Sequence, residues 1–192
     1  MKVLKFGGTS VGNPEALSRV LNITVRSIEQ RESPVLVVSA FQTVTNRLIG
    51  CGALASERTG TYRDAVSEII SLHDTMIASL IGEALTDEFR QQYNLLTDEL
   101  QNITYGIYLL GELSPKSSDV LLSLGERLSS LIIAEYFTRS GVPAVALDSR
   151  QVIKSDRSFG NARVLMNESS PLIREKIQQE ERLVIAAGFI AS

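Results

Sequence analysis

The alternation of apolar and polar positions divides the chain into short strands and longer helices. Lys2-Val-Leu-Lys-Phe6 predicts a short buried strand, followed directly by Gly7-Gly-Thr-Ser-Val-Gly12. Leu17, Val20, Leu21 and Ile28 recur at helical spacing, behind Asn13 as N-cap and Pro14 at the first helical position, and that helix closes near Arg31. Val35-Leu-Val-Val38 is apolar on both sides, as a parallel strand covered by helices is. Strand, helix and strand form a βαβ unit, which is almost always right-handed. The polar turn Ser39–Asn46 follows at the carboxyl end of the second strand, where open α/β sheets bind ligands, and then a helix to about Ser56.

From about 61 to 111 the pattern becomes two long helices. Tyr62, Ala65, Val66, Ile69, Ile70, Met76, Ile77 and Leu80 make one stripe; Phe89, Tyr93, Leu96, Leu100, Ile103, Ile107 and Leu110 make a coiled-coil-like seam. Gly82 and Thr86-Asp87 separate them, which predicts an antiparallel helical hairpin serving as a packing unit. His73 is read as off the first stripe and solvated. Ser114-Pro115 opens another helix, closed by Gly141 and Pro143, with Leu121, Leu124, Leu128, Leu131 and Ile132 as its apolar face and Gly125-Glu126-Arg127 at its middle. Ala144–Leu147 is a third strand, 151–167 is irregular, Pro171 to about Glu180 is a helix, and Leu183–Ala187 a fourth strand ending at Gly188-Phe189. The whole is a three-layer α/β/α sandwich with a mainly parallel sheet, plus the hairpin insertion, and no linker or repeat divides residues 1–192.

Composition narrows the chemistry. At 192 residues, 44% hydrophobic and net charge −3, the chain supports a full core and has no basic footprint for nucleic acid or anionic lipid. Neither a membrane span nor a signal peptide is present, and the expected compartment is the cytoplasm. One cysteine, Cys51, reads as a small packing residue, and with one histidine there is no metal-ligand cluster.

The glycine turn carries the candidate chemistry. A strand, a glycine-rich turn and a helix N-terminus can hold a phosphate on backbone N–H groups. Lys5 suggests a phosphate ligand, because an ammonium in an apolar strand needs a partner or a cleft. Asn13-Pro14 stands where a Walker loop needs Lys-Ser/Thr, and Gly-x-Gly-x-x-Gly is absent, so this is a different phosphate loop.

Lys5-Phe-Gly-Gly-Thr-Ser-Val-Gly12 resembles the N-terminal signature of aspartate kinases, members of the amino acid kinase superfamily. Val38-Ser-Ala40 with Thr45-Asn46 resembles the family's second loop, and Leu124-Gly-Glu-Arg-Leu-Ser129 its glycine–glutamate helix. Asp148, Ser158-Phe-Gly160 and Gly188-Phe-Ile190 fall where the family has comparable elements. Tyr108–Asp119 is most similar to the bifunctional aspartate kinase–homoserine dehydrogenase type.

The resemblance implies phosphoryl transfer from ATP to the β-carboxylate of L-aspartate, the first step towards lysine, threonine and methionine. It implies that Lys5, Phe6, Gly7, Gly8, Ser39 and Ala40 hold the ATP phosphates, with Lys5 the catalytic residue. Thr45 and Glu126 would bind aspartate, Glu126 through its α-ammonium. Magnesium would be carried by the nucleotide, with no metal ligand from the chain, and a homo-oligomer is expected. Phe41-Gln-Thr-Val44 departs from the family's small-residue loop, so its backbone is for the structure to decide. The family's Arg-Gly-Gly-Ser-Asp loop and adenine-binding segment are expected after Ser192. The 192-residue chain alone is therefore expected to be inactive and to self-associate through an unpaired edge or apolar face. The alternatives are another amino acid kinase, acting on glutamate or uridylate, and a non-catalytic phosphate-binding or interaction domain.

Overall fold

The computed structural model describes residues 1–192. Four strands, β1 (Lys2–Phe6), β2 (Pro34–Val38), β3 (Ala144–Leu147) and β4 (Leu183–Ala187), form one sheet in the order β1-β2-β4-β3. Every pairing is parallel, with Leu4 beside Leu36, Leu36 beside Ile185 and Ala146 beside Ile185. The helices are α1 (Pro14–Glu29), α2 (Val44–Ser56), α3 (Tyr62–Leu80), α4 (Asp87–Leu110), α5 (Pro115–Arg139) and α6 (Met166–Gln179). No helix is long and apolar enough to cross a membrane.

Strand alternation sends Leu4, Phe6, Leu36 and Ile185 to one face. There they meet α1 and α5 in a single core that also takes in α2, α3 and α4. The opposite face carries a smaller cluster, in which Leu172, Ile173 and Ile177 of α6 pack with Leu147, Val152 and Val184. This is the expected α/β/α arrangement, with three further helices outside α5.

Capping explains most helix boundaries. Asn13 accepts the N–H of Ala16 at 2.8 Å, Thr86 that of Phe89 at 3.2 Å and Ser114 that of Ser117 at 3.2 Å. Gly111 and Gly141 end α4 and α5 at φ of 69° and 87°, a region that costs glycine nothing.

Several expectations are corrected. β1 is not a buried strand: it is an edge, and Val3 is 58% exposed, because α6 covers the β3–β4 half of that face and leaves β1 bare. α3 and α4 touch, with the Tyr93 hydroxyl 2.7 Å from Asp74 Oδ1, but α3 packs chiefly on α2 and α4 chiefly on α5. The α4 seam is core as expected, except that Leu110 at its end is exposed. α2 begins at Val44, earlier than its polar sequence suggests. α6 begins at Met166 and contains Pro171, whose missing N–H costs one helical hydrogen bond.

His73 is completely buried rather than solvated. It stands four residues after Ile69 and three before Met76, so it belongs to the apolar stripe of α3. Its Nδ1 lies 2.7 Å from Ile69 O, its ring centroid 5.6 Å from that of Phe41, and its Nε2 has no partner. Burial pushes its pKa below the ordinary value of 6.5. Cys51 is buried, and burial pushes its thiol up to about 11, the inert state expected of a packing cysteine.

Candidate functional site

Three loops converge at the carboxyl ends of the strands. The β1–α1 loop folds back on itself, with the N–H groups of Ser10 and Val11 donating to Gly7 O at 2.8 and 3.3 Å. That leaves the N–H groups of Gly7, Gly8 and Thr9 without an acceptor in the chain. The β2–α2 loop lies alongside, joined by Ser39 N–H to Phe6 O at 3.2 Å. A side chain at Gly8 would touch Ala40 O at 3.4 Å, and one at Gly12 would sit 2.9 Å from Gln42 Oε1. The third loop follows β4: Gly188 donates to Val38 O at 2.8 Å, and a Cβ there would lie 2.8 Å from that same oxygen. Only glycine permits this approach.

The β2–α2 loop holds a strained residue. Thr43 caps α2 with φ of 73° and ψ of −18°, without using its hydroxyl as a cap. Left-handed geometry at a β-branched residue costs about 1–3 kcal/mol and persists where the surroundings impose it. Phe41, buried against His73, and Val44, buried in the core, anchor the loop on either side. The strained cap puts Thr45 in the first turn of α2, exposed, with its N–H and that of Asn46 free of intramolecular acceptors. A hydroxyl beside free N–H groups at a helix N-terminus suits a carboxylate.

Glu126 reaches this region from the middle of α5. The residue is only 7% exposed, and no ion pair engages its carboxylate. Burial raises its pKa above the ordinary 4.5, and the nearby backbone N–H groups of Glu126 and Ala40 act the other way. Arg127 turns away from it, forming a fork to Glu99 of α4 at 2.8 and 2.7 Å and placing Nε 3.3 Å from Asp148 Oδ2. Arg150 binds Asp148 in turn at 2.7 Å. The Arg127 guanidinium holds Glu99 below the usual carboxylate range. At Asp148 burial acts upward, and the Arg150 and Arg127 guanidiniums outweigh it, leaving a net lowering.

The sequence-derived candidates thus fall into two groups. Gly7, Gly8, Ser39, Ala40, Thr45 and Glu126 come together around the β1 and β2 loops. Lys5 lies on the other face of the sheet, because its neighbours Leu4 and Phe6 pack into the main core. It is exposed at the carboxyl end of the edge strand and belongs to none of the ion pairs. Phe6 turns its side chain into the core, which leaves only its backbone towards the loop. Sequence reasoning did not single out Thr43, nor the ion network. The strain at Thr43 has no residue signature, and Arg127 and Glu99 lie 28 positions apart.

An all-parallel sheet with its glycine loop and free N–H groups at the carboxyl ends is the framework of a phosphate-handling α/β protein. The whole chain, residues 1–192, matches the amino acid kinase family, and it belongs to that family. Its relatives include bifunctional aspartokinase/homoserine dehydrogenase 1, chloroplastic, of Arabidopsis thaliana, 28% identical over 192 residues, covering 99% of this chain and 21% of that protein. Aspartokinase 1, chloroplastic, of the same plant is 28% identical over 194 residues, covering 98% of this chain and 33% of that protein. The crystal structure of E. coli aspartokinase III in complex with aspartate and ADP superposes with a TM-score of 0.83 at 26% identity, over 100% of this chain and 41% of that one. Its lysine and aspartate complex gives 0.84, also at 26% identity. The chain spans about a fifth to a third of these curated relatives.

Proposed function

We propose that this chain is the aspartate- and phosphoryl-binding part of an aspartate kinase, catalysing ATP + L-aspartate → ADP + 4-phospho-L-aspartate in the full-length protein. The observation that carries the reading is Glu126, a buried carboxylate without a cationic partner, beside a helix N-terminus with free N–H groups. An amino acid offers the complementary ammonium and carboxylate. The aspartate named in two similar E. coli structures supports the choice of substrate.

In this reading Glu126 takes the α-ammonium, and Thr45 with the first turn of α2 takes a substrate carboxylate. The β-carboxylate, with an ordinary pKa of about 4, is already ionised at pH 7 and needs no general base. One of its oxygens bonds to the γ-phosphorus as the bond from that phosphorus to the bridging oxygen breaks, and the electron pair leaves with ADP. The N–H groups of Gly7 and Gly8, with the Lys5 ammonium, hold the phosphoryl oxygens, and Ser39 and Ala40 form the wall beside them. Magnesium would arrive on the nucleotide. A single cysteine suits a reducing compartment such as the cytoplasm. The isolated chain, spanning 41% of aspartokinase III, is expected not to turn over.

An acceptor screen tests the proposal. The full-length protein with ATP and magnesium should form an acyl phosphate, trapped by hydroxylamine, from aspartate. Equal or faster ADP formation with glutamate or uridylate, or none with any acceptor, overturns it.

A further inference from the structure

Residues 154–165 fold into a narrow antiparallel hairpin after β3. Asp156 N–H donates to Arg163 O at 3.0 Å and Leu165 N–H to Lys154 O at 2.8 Å, with Ser155 bridged to Val164 between them. Asp156 closes the tip by accepting the N–H groups of Ser158 and Arg163 at 3.0 and 3.1 Å. On its other side the hairpin pairs with the chain after β4: Ser155 N–H donates to Ser192 O at 2.7 Å and Ser192 N–H to Ile153 O at 2.9 Å. None of residues 154–165 joins either hydrophobic core, and Phe159 and Val164 are exposed. The tip is held from outside at one place. Gly160, at φ of 80°, donates its N–H to Asp119 Oδ2 at 2.7 Å, and the Lys116 ammonium lies 5.8 Å from the centroid of the Phe159 ring.

We propose that this hairpin is a movable wall of the aspartate site, latched shut by Asp119, which acts as a positioning residue. The role of the wall rests on the aspartate reading above; the latch itself does not. Asp119 stands seven residues before Glu126, two helical turns, so both lie on one face of α5 about 10 Å apart. Helical side chains lean towards the N-terminus, which inclines Glu126 towards the latch. Ser129 Oγ bonds to Ser39 O, just past the carboxyl end of β2, at 2.8 Å, so the preceding turns of α5 carry Glu126 and Asp119 out beyond the sheet. The hairpin leaves β3 at that same end and reaches Asp119, so it passes beside the turns that carry Glu126. Little opposes its opening. A segment outside the core, with a single external hydrogen bond at its tip, sits at the low-stability end of a fold, from which ligand-gating elements are drawn.

The test uses the full-length protein and compares Asp119→Ala with Asp119→Asn, which keeps an oxygen acceptor. Asp98→Ala, at an exposed carboxylate of α4, is the control. Hydrogen–deuterium exchange across residues 156–163 should quicken about tenfold in Asp119→Ala, for the loss of one hydrogen bond to a charged group, and less in Asp119→Asn. Asp98→Ala should leave it unchanged. Trypsin cleavage after Arg157 should follow the same order, and aspartate should slow the exchange in wild type. The KM for aspartate should rise about fivefold in Asp119→Ala as the closed fraction falls, with partial recovery in Asp119→Asn. Exchange and cleavage that Asp119→Ala leaves unchanged overturn the latch. Quickened exchange with an unaltered KM, in a protein that does phosphorylate aspartate, overturns the wall. A wild-type protein that ignores aspartate refutes the functional reading and the wall together, and the exchange rates then decide the latch alone.

Discussion

Burial works against the charge of Glu126. Its pKa is raised, so its contribution to folding is intact below the ordinary carboxyl value of 4.5 and is lost as pH rises through the folded-state value. Glu126→Gln should therefore raise the melting temperature at pH 7 and leave it unchanged near pH 4. It should weaken aspartate binding on the order of 100-fold, about 3 kcal/mol for removing one partner of a desolvated charge pair. A melting scan paired with calorimetry checks both arms. A variant less stable at pH 7 would mean that the carboxylate has a structural partner.

His73 behaves oppositely to a salt-bridged histidine. Its folded pKa lies below 6.5, so the unfolded chain takes up the proton first and stability falls as pH drops below that value. His73→Leu should unfold at a similar urea concentration at pH 7 and at a higher one than wild type at pH 5.5. Identical pH dependence in the two would show that the ring is hydrated.

At the scale of elements, α5 organises the site. Leu124, Leu128 and Ile132 seat it in the main core, Ser129 Oγ beside Glu126 donates to Ser39 O at 2.8 Å, and Arg127 ties α4 to the end of β3. Gly125→Ala would drive a methyl group into Ala40, Leu48 and Val44. Overpacking of this kind costs about 1–3 kcal/mol, read as a lower denaturation midpoint, and should weaken aspartate binding as well.

Arg127→Met removes the fork to Glu99, a loss of about 2 kcal/mol at pH 7. The lowered pKa values of Glu99 and Asp148 mean that their contribution is present above the ordinary values of 4.5 and 3.8 and is lost as pH falls. Wild type and variant should converge in stability as pH drops from about 5 to 3.

The sequence made α5 legible because its cap, its apolar face and its closing glycine agree with one another. It made Glu126 legible only through the motif around it. The Ser129 bond and the Arg127 fork were illegible, because each joins residues that only the fold brings together. His73 was misread because a polar residue type was given more weight than its position on the 3.6-residue period. β1 was misread because an apolar run shows that a face can be buried, not that anything covers it.

For the molecule as a whole, the sheet is finished on one face and half finished on the other. α6 covers β3 and β4, whereas Val3 and Lys5 of β1 remain open. The candidate groups fall on the two sides of this sheet: the residues proposed to bind aspartate above the α5 face, and Lys5 on the open face. A phosphoryl group at the glycine loop would lie at the strand ends between them. The most direct test is the rate of aspartate-dependent ADP formation by the full-length protein, wild type against Lys5→Ala. A fixed cation at the transferring phosphoryl group predicts a fall in kcat on the order of 100-fold or more. Turnover within a fewfold of wild type would contradict the role assigned to Lys5.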